Sequence, residues 1–403
     1  MKFFRRPIVL FPRIIVFIIR ARTGQKNALA KHQPGKLIMK YFFIITMGIL
    51  LASCSRNQKA HLPEPDAFRD SVEGRPTTLY LLKNSNGFEA AVTNYGARLV
   101  SLIVPDSRNY FRNVVLGYDS IAQYVHGHED YFGATVGRYG NRIAKGRFSI
   151  DGREFILNCN DGPNHLHGGN KGFASRVWDA TQIDRQAVEF SYTSKDGEEG
   201  YPGNVHVQVI YRLTDSNTLK INYVAVSDRI TVINLTNHTY FNLNGRGSGT
   251  INNHLLQINA DGYTPVDSTL IPTGKIEAVD GTPFDFRKPF AIGSRIKGNE
   301  QLKYGKGYDH NFVLNQSPGR RLGLAASVAG DRSKIAMDVW TTEPGIQFYG
   351  GNFLKGADYR TAFCLETQHF PDSPNEPAFP STLLLPGKVY RSTTVYAFFA
   401  KDE

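Results

Sequence analysis

A histidine lies in the middle of an amide-rich strand pattern, NLTNHTYFNL, at residues 234–243. Side chains alternate across a strand, so Asn234, His238 and Tyr240 share one face, while Phe241 and the leucines share the other. The first face carries donors and acceptors without fixed charge, which suit a sugar-binding cleft. A solvated sheet face is the alternative, although such faces usually carry Lys, Glu and Thr.

Two glycine-flanked runs carry further polar candidates. In NHLHGG, His165 and His167 form an H-x-H pair that can bind a metal from one strand face, but no third ligand has diagnostic spacing, so we predict no metal site. A turn histidine with a structural hydrogen bond is the alternative. In VGRYGNRIAKG, Asn141 and Arg142 lie between glycines. Arg142 can donate a fork of hydrogen bonds to vicinal hydroxyls, unless the run is a solvated surface loop.

Three polar residues stand in otherwise apolar or aromatic runs near the end of the chain. They are Asp309 in YDHNF, Gln347 in PGIQFYGGN and Glu366 in TAFCLETQHFPDSPN. A carboxylate in an apolar strand is either exposed or held in a pocket, where burial raises its pKa. By contrast, we expect His126 and His128 of YVHGHEDYF to be loop residues instead of ligands. The carboxylates of DGEEGYPG indicate a solvated turn, although such a loop can also rim a cleft.

The elements that must position these residues are strands. Short alternating runs such as TLYLLKN, VHVQVIYRL and VYRSTTVYAFF recur, and 38 Gly and 20 Pro punctuate them. No segment keeps a helical period beyond two turns. We therefore predict one all-β domain over residues 77–403, built from large packed antiparallel sheets.

The N-terminal region has the features of a secretory signal. Met39 and a lysine precede the apolar run YFFIITMGILLAS, and Cys54 follows it. LLASC resembles a bacterial lipobox, in which the cysteine receives the lipid. A membrane-spanning anchor helix is the alternative, but 13 residues are too few to cross a bilayer. We predict a signal region in residues 1–53, with Met39 as an alternative start, a polar tether in residues 54–76, and a lipid-anchored, periplasm-facing protein in the bacterial envelope.

The net charge of +11 is concentrated in that signal region. Residues 1–53 carry ten Lys and Arg without any Asp or Glu, which leaves 37 basic and 36 acidic residues in the remainder. We therefore expect no nucleic-acid partner. Cys159 and Cys364 do not make a disulfide framework, although one bridge between them stays open.

Seven motifs in order resemble those of the aldose 1-epimerase (galactose mutarotase) family. They are GR-x-x-NRI, N-x-LHGG, EGYPG, TNHTYFNL, YDHNF, G-x-QFY-x-GN and LETQ-x-x-PDS-x-N, and the resemblance runs from about Leu79 to Phe398. It implies a galactose mutarotase-like β-supersandwich that interconverts α and β anomers of free hexoses such as glucose and galactose. No redox cofactor is required, because no electrons leave the sugar. A bound Ca²⁺ stays open, although no acidic ligand run predicts one.

The resemblance also implies residue roles. Ring opening needs the C1 hydroxyl deprotonated while the ring oxygen is protonated; C1 then rotates about its bond to C2 before the ring recloses. The family's base corresponds to Glu366 and its acid to His238. Its sugar contacts correspond to Asn141, Arg142, His167, Asp309 and Gln347, with Tyr240 lining the same cleft.

Three alternatives share this sequence pattern. A non-catalytic sugar-binding module would lose Glu366 or His238, and both are present. A hexose-phosphate epimerase would need several cationic residues around the cleft. A glycoside hydrolase needs two suitably spaced carboxylates, for which Glu366 and Asp309 are candidates. We expect a monomer whose partners are a free aldohexose and, through the lipid, a membrane.

Overall fold

Short runs of β-branched and aromatic residues form strands throughout the part of the chain that this computed structural model describes, residues 60–316 and 321–400. The first half contains β1 (Asp70–Val72), β2 (Arg75–Thr77), β3 (Leu79–Lys83), β4 (Glu89–Thr93), β5 (Arg98–Pro105), β6 (Phe111–Asn113), β7 (Val115–Leu116), β8 (Ala134–Val136), β9 (Arg142–Ile143), β10 (Arg147–Ile150), β11 (Arg153–Ile156), β12 (His165–Leu166), β13 (Asp179–Asp184), β14 (Ala187–Ser194) and β15 (Val205–Leu213).

The second half contains β16 (Thr218–Ser227), β17 (Thr231–Val232), β18 (Thr236–His238), β19 (Tyr240–Phe241), β20 (Leu255–Ile258), β21 (Ala260–Tyr263), β22 (Glu277–Ala278), β23 (Phe290–Ala291), β24 (Asp309–Leu314), β25 (Gly323–Ala329), β26 (Ile335–Thr341), β27 (Gly345–Tyr349), β28 (Cys364–Gln368), β29 (Leu383–Leu384) and β30 (Val389–Ala400). The α-helices of the described residues are short: α1 (Ile121–His126) and α2 (Glu300–Tyr304). Single 3₁₀ turns cover Pro65–Phe68, Ala144–Gly146, Phe173–Ser175, Glu198–Gly200, Ile292–Arg295, Gly356–Asp358 and Ser373–Asn375.

Three antiparallel sheets dominate the fold. Their strand orders are β13-β14-β15-β16-β30-β26-β25-β20-β23, β22-β21-β24-β27-β28 and β3-β4-β5-β6, and six two-stranded ribbons complete the set. Strand β15 shows why these segments pair: in VHVQVIYRL every second side chain is buried and those between are partly or fully exposed. The prediction of an all-β fold with large antiparallel sheets is confirmed.

One face of the five-stranded sheet packs against the main hydrophobic core. Phe312, Ile346, Phe348 and Leu365 project from β24, β27 and β28 into the main hydrophobic core. Because neighbouring residues of a strand point to opposite faces, the residues between these four project the other way. That second face is polar, and it forms the floor of the cleft described below.

The folded region begins earlier than the predicted boundary at residue 77. Pro65–Phe68 forms a 3₁₀ turn, and β1 pairs with β2 as a hairpin. Phe68 is fully buried, and its ring lies 6.1 Å from that of Tyr124. The second half of the predicted tether is therefore part of the domain. The sequence did not predict this, because a single buried aromatic side chain in a short polar run has no strand or helix periodicity. The predicted signal region, Met39 and Cys54 lie outside the described residues. Within the described range, every helix is too short or too polar to cross a bilayer.

The strand pattern around His238 does not form one continuous strand; three short strands lie in and next to it. Strands β17, β18 and β19 pair with β29, β8 and β7, respectively. Amide side chains satisfy backbone groups at the breaks: Asn234 donates to the Gly140 and His369 carbonyls, and Asn242 donates to those of Gly249 and Thr361. These asparagines are therefore structural, which corrects the expectation that the whole polar face lines a sugar cleft.

Candidate active site

Backbone register places His238 opposite Glu366. A bridge joins Phe241 to Phe363 through two backbone hydrogen bonds of 2.7 and 3.0 Å. Moving three residues from the bridge in opposite directions along the two antiparallel segments reaches His238 and Glu366. An odd step reverses the face, so the two phenylalanines point into the core while the imidazole and the carboxyl point away from it. His238 Nε2 lies 3.6 Å from Glu366 Oε1.

The remaining floor of the cleft comes from the polar face of the five-stranded sheet. Gln347 is the direct cross-strand partner of Glu366, so both side chains share this face. Asp309 lies on the same face from β24, and Gln347 Nε2 donates to its Oδ1 at 2.8 Å. One sheet therefore presents a carboxyl, an amide and a second carboxyl side by side.

Asn141, Arg142 and His167 form the wall beside this floor. Leu166 in β12 pairs with Arg142 in β9, and His167 follows in a left-handed conformation with φ 52°. The backbone N–H of Asn141 donates to His167 Nδ1 at 3.1 Å. In a neutral imidazole the proton therefore resides on Nε2, which leaves that atom as a donor. The change of conformation at His167 also splits the H-x-H pair.

His165 has the structural role that the sequence left open. Its Nδ1 lies 2.7 Å from the Asn158 carbonyl oxygen, and its Nε2 lies 2.6 Å from the Tyr201 hydroxyl. Both ring nitrogens are therefore occupied away from the cleft. His167 alone of the pair reaches the site.

The EGYPG loop holds the glycine turn that follows His167. Glu199 accepts hydrogen bonds from the backbone N–H groups of Asn170 and Lys171, both at 3.0 Å. Gly168 adopts φ +87°, and a Cβ there would lie 1.9 Å from the Gly137 carbonyl oxygen, so this position requires glycine. The Glu199 carboxylate thus holds the loop that carries His167, which favours the cleft-rim arrangement that the sequence left open.

The predicted site residues meet at one cavity of about 550 Å³. Its lining includes Glu366, His238, Asn141, Arg142, His167, Tyr240 and Asp309, and Gln347 supports Asp309 from below. Arg142 bridges two acids: its Nε lies 2.8 Å from Asp161 Oδ2, and its Nη1 lies 3.9 Å from Asp309 Oδ2. Two of its guanidinium nitrogens therefore interact with carboxylates of the protein.

Burial sets the protonation states of the reactive pair. Glu366 is 2% exposed and His238 is 5% exposed. Burial, assisted by the Asp309 charge, raises the pKa of Glu366 well above its ordinary range, although Arg142 opposes the shift. Burial lowers the pKa of His238 to about 3. Burial therefore favours a protonated Glu366 carboxyl beside a neutral His238 imidazole, so that the two groups share one exchangeable proton.

Aromatic packing and a thiol orient the imidazole of His238. The rings of Tyr240 and Tyr131 lie 4.9 and 5.7 Å from it, at interplanar angles of 33° and 31°. Its Nδ1 lies 3.5 Å from the buried Cys364 Sγ. Cys364 is reduced, as is the exposed Cys159, so the disulfide that the sequence left open is absent from the described residues.

Sequence reasoning missed several lining residues. Glu129 and Tyr131 come from the run YVHGHEDYF, in which we considered only His126 and His128, as loop residues. His128 of that run also lines the cavity, whereas His126 ends α1. Asp161 lies in a turn without periodicity. Aromatic residues flanking acids in an otherwise polar loop were the available signal for Glu129.

His167, His238 and Glu366 also form a group of metal-ligating types, with ligand atoms within 4.8 Å of one another. A metal needs an imidazole nitrogen that carries a free lone pair. The Asn141 N–H occupies the lone pair of His167 Nδ1, and Nε2 then carries the proton. This arrangement suits hydrogen-bond donation to a sugar better than metal coordination, and the absence of a metal site stays a prediction.

Comparison with known families shows which family the chain belongs to. The family model described as aldose 1-epimerase matches residues 78–397. The chain belongs to the aldose 1-epimerase family. The match includes every residue placed in the cleft above and excludes the N-terminal 77 residues.

Similar proteins span the same region. A galactose mutarotase of Bos taurus is 44% identical over 340 residues, which cover 82% of this chain and 97% of that protein. An aldose 1-epimerase of Escherichia coli K12 is 40% identical over 339 residues, with the same coverage of 82% and 97%. The crystal structure of a galactose 1-epimerase from Lactobacillus acidophilus matches with a TM-score of 0.73 and 30% identity, over 83% of this chain and 97% of that one. The predicted family and fold are confirmed.

Proposed function

We propose that this protein is an aldose 1-epimerase, an isomerase that interconverts the α and β anomers of free hexoses such as glucose and galactose. The observation that carries the proposal is the Glu366–His238 pair. Glu366 Oε1 lies 3.6 Å from His238 Nε2, while Glu366 Oε2 is buried without a hydrogen-bond partner among the described residues. A buried unpaired oxygen needs a polar ligand, and the C1 hydroxyl of a sugar supplies one.

The single proton of the pair accounts for ring opening. Hydroxyls of a bound sugar and the nearby Arg142 stabilise the carboxylate form of Glu366, so the proton moves over the short gap to His238. Glu366 then takes the proton of the C1 hydroxyl as base. His238 gives its proton to the ring oxygen as acid, the bond between C1 and the ring oxygen breaks, and an aldehyde forms.

Reclosure returns both protons. After rotation about the C1–C2 bond, the freed hydroxyl attacks the other face of the aldehyde and loses its proton to His238. Glu366 returns a proton to the former carbonyl oxygen. As the product leaves, the proton on His238 returns to Glu366, so the enzyme ends in the state in which it began. No electrons are exchanged, so we expect no cofactor to be required.

The wall and floor residues hold the sugar while C1 rotates. Gln347 and Arg142 fix the Asp309 carboxyl, which is placed to accept hydrogen bonds from two sugar hydroxyls. His167 donates from Nε2 because its Nδ1 is occupied, and Asn141 adds an amide. Charge-assisted and neutral bonds together keep the open-chain aldehyde in place.

The rival chemistries fit these contacts less well. A phosphorylated sugar needs several free cations, whereas Arg142 is paired with Asp161 and five carboxylates line or adjoin the same cavity. A hydrolase needs two carboxyls on opposite sides of a glycosidic bond. Glu366 and Asp309 project from one face of one sheet.

Polarimetry tests the proposal. Freshly dissolved α-D-glucose and α-D-galactose are each mixed with the purified protein, and the decay of optical rotation is compared with the spontaneous rate. We expect acceleration that falls by about 10²- to 10⁴-fold in Glu366→Gln. The control is Glu154→Gln, which changes an exposed carboxylate of the β10–β11 hairpin. No acceleration with either sugar, or normal acceleration by Glu366→Gln, would contradict the proposal.

We also propose that the enzyme acts as a monomer anchored in the bacterial envelope by a lipid on Cys54, facing the periplasm. The support is the basic start, the apolar run and the LLASC sequence. In a bacterial host supplied with labelled palmitate, the wild type should carry the label and sediment with membranes. Cys54→Ser should lose both properties. Equal label in both proteins would refute lipidation at this cysteine.

A further inference from the structure

A second carboxyl in the cavity is not used by the mechanism above. Glu129 lies in the loop between α1 and β8, and its side chain lines the same cavity as Glu366 and His238. The backbone N–H of Glu129 donates to the Tyr118 hydroxyl at 3.2 Å, which anchors the residue from the other side. Glu129 is therefore held in place at the cleft.

The Glu129 carboxyl ties together the two rings that flank His238. Its Oε1 accepts a hydrogen bond from the Tyr131 backbone N–H at 3.2 Å. The Tyr240 side chain also stabilises the ionised carboxyl, which opposes the rise in the Glu129 pKa that burial causes. Tyr131 and Tyr240 are the residues whose rings pack on the imidazole at small interplanar angles.

The imidazole has weak orienting contacts of its own. Among the described residues, its side-chain hydrogen-bond and ion-pair partners are the Cys364 thiol at 3.5 Å and Glu366 at 3.6 Å, and the His167 ring packs edge-on with its centroid 5.1 Å away. Sulfur makes weak hydrogen bonds, and Glu366 must remain free to exchange its proton. The orientation of Nε2 therefore depends mainly on the two aromatic rings.

We propose that Glu129 is a positioning residue for the anomer interconversion, acting through Tyr240 and Tyr131 to aim His238 Nε2 at the ring oxygen. The inference rests on the proposed function. Removal of the carboxyl releases the Tyr240 hydroxyl and one tether of the Tyr131 backbone. The imidazole then loses alignment, and misplacement by about 1 Å costs on the order of 10²-fold in rate.

The carboxylate form makes this tether strongest, because it accepts from both donors at once. Burial raises the pKa of Glu129 to about 6, so the tether weakens as the pH falls through that value. The titratable and charged groups around the carboxyl are Arg98 of β5, Tyr118 before α1, Asp130 and Tyr131 of its own loop, Tyr240 of β19, Tyr349 of β27 and Cys364 of β28.

The experiment measures kcat and KM for glucose mutarotation between pH 5 and 8, using the purified full-length protein. The variants are Glu129→Gln, Glu129→Ala, Tyr240→Phe and Glu129→Ala combined with Tyr240→Phe. We expect kcat to fall about 10-fold in Glu129→Gln and about 100-fold in Glu129→Ala, with KM changed less than about threefold. The wild type should lose activity below about pH 6, and Glu129→Gln should lack that acidic limb. Glu154→Gln should match the wild type.

The double variant identifies the route of the effect. If Glu129 acts through Tyr240, the combined variant should be little worse than the worse single variant. The inference would be overturned if the two substitutions reduced kcat independently, so that their effects multiplied in the combined variant. It would also be overturned if Glu129→Ala kept the wild-type kcat and pH profile. In either case Glu366→Gln still tests the proposed function. If Glu129→Ala does not fold, the pH profile of the isosteric Glu129→Gln decides. A wild type without mutarotase activity would overturn the proposed function and this inference together.

Discussion

Replacing Gly168 by alanine adds only one methyl group, but it should destabilise the protein and displace the loop that carries His167. The added Cβ would lie 1.9 Å from the Gly137 carbonyl oxygen, and real Cβ contacts stay above 3.0 Å, so the two segments must separate by more than about 1 Å. That carbonyl accepts the Phe173 N–H at 2.9 Å, and His167 is the residue directly before the substitution. Strain at this glycine is therefore transmitted to the cleft.

The size of the effect follows from three contributions. A left-handed non-glycine residue costs about 1–2 kcal/mol. Overpacking against backbone adds about 1–3 kcal/mol, and the weakened Phe173 hydrogen bond adds about 1 kcal/mol. The sum is about 3–6 kcal/mol. For a domain of this length, with an unfolding entropy of about 2 cal/mol/K per residue, the melting temperature should fall by about 4–8 °C.

Gly152→Ala is the matched control for this substitution. Gly152 has φ +78°, close to the +87° of Gly168, but an added Cβ there has nothing within 4 Å. It should lose about 1–2 kcal/mol and keep full activity. Gly168→Ala should in addition lose at least about 10²-fold in kcat/KM, measured by polarimetry. Equal melting temperatures for the two variants, or normal kcat/KM in Gly168→Ala, would refute the reasoning.

Three further predictions test other contacts. Asp309→Asn removes the charge that adds to the effect of burial on the pKa of Glu366, together with two charged acceptors for sugar hydroxyls. We expect kcat/KM to fall by about 10²-fold and the alkaline limb of the pH–rate profile, where the proton of the Glu366–His238 pair is lost, to move to lower pH; an unchanged alkaline limb would contradict the coupling. Glu199→Ala leaves the Asn170 and Lys171 N–H groups without their acceptor, so unfolding in urea should show a loss of about 2 kcal/mol and KM should rise, whereas wild-type values for both would refute this role of Glu199. The Glu343–His369 ion pair, whose charged atoms lie 2.6 Å apart, lowers the pKa of Glu343 and raises that of His369. The stability from the Glu343 shift is lost as the pH falls below about 4.5, and that from the His369 shift is lost as the pH rises above about 6.5. Glu343→Gln should therefore lower the free energy of unfolding by about 3 kcal/mol near pH 5.5 and by less at pH 8, and a loss that does not vary with pH would refute the pairing.

The sequence predicted the strands of the site because their signals are local. Glu366 stands alone in an apolar run, and Asp309 and Gln347 stand among aromatic residues, so each of the three was recognised from its own run. The pairing of Gln347 with Glu366 and the proton shared with His238 depend on strand register and burial. Neither property has a local pattern.

The predictions that the structure corrected have equally specific causes. The run containing Glu129 resembles a polar loop, and the interaction of its carboxyl with Tyr240, far along the chain, has no signal in that run. The amides around His238 resemble sugar ligands, yet Asn234 satisfies backbone carbonyls at a strand break. Phe68 is one buried aromatic in a polar stretch, which set the domain boundary too late. In each case the partner is distant in sequence.

The bridge between Phe241 and Phe363 means that substitutions in the core can change the spacing of Glu366 and His238, the proposed base and acid. Their rings, 6.0 Å apart, lie in the core, on the side of the strands away from the sugar. A change in side-chain volume there alters the separation of the two segments, and with it the distance that a proton travels between Glu366 and His238. Sequence drift among buried hydrophobic residues can therefore speed or slow turnover while every group that touches the sugar is retained. Relatives with identical clefts need not be equally fast, and a search for faster variants should begin in the interior.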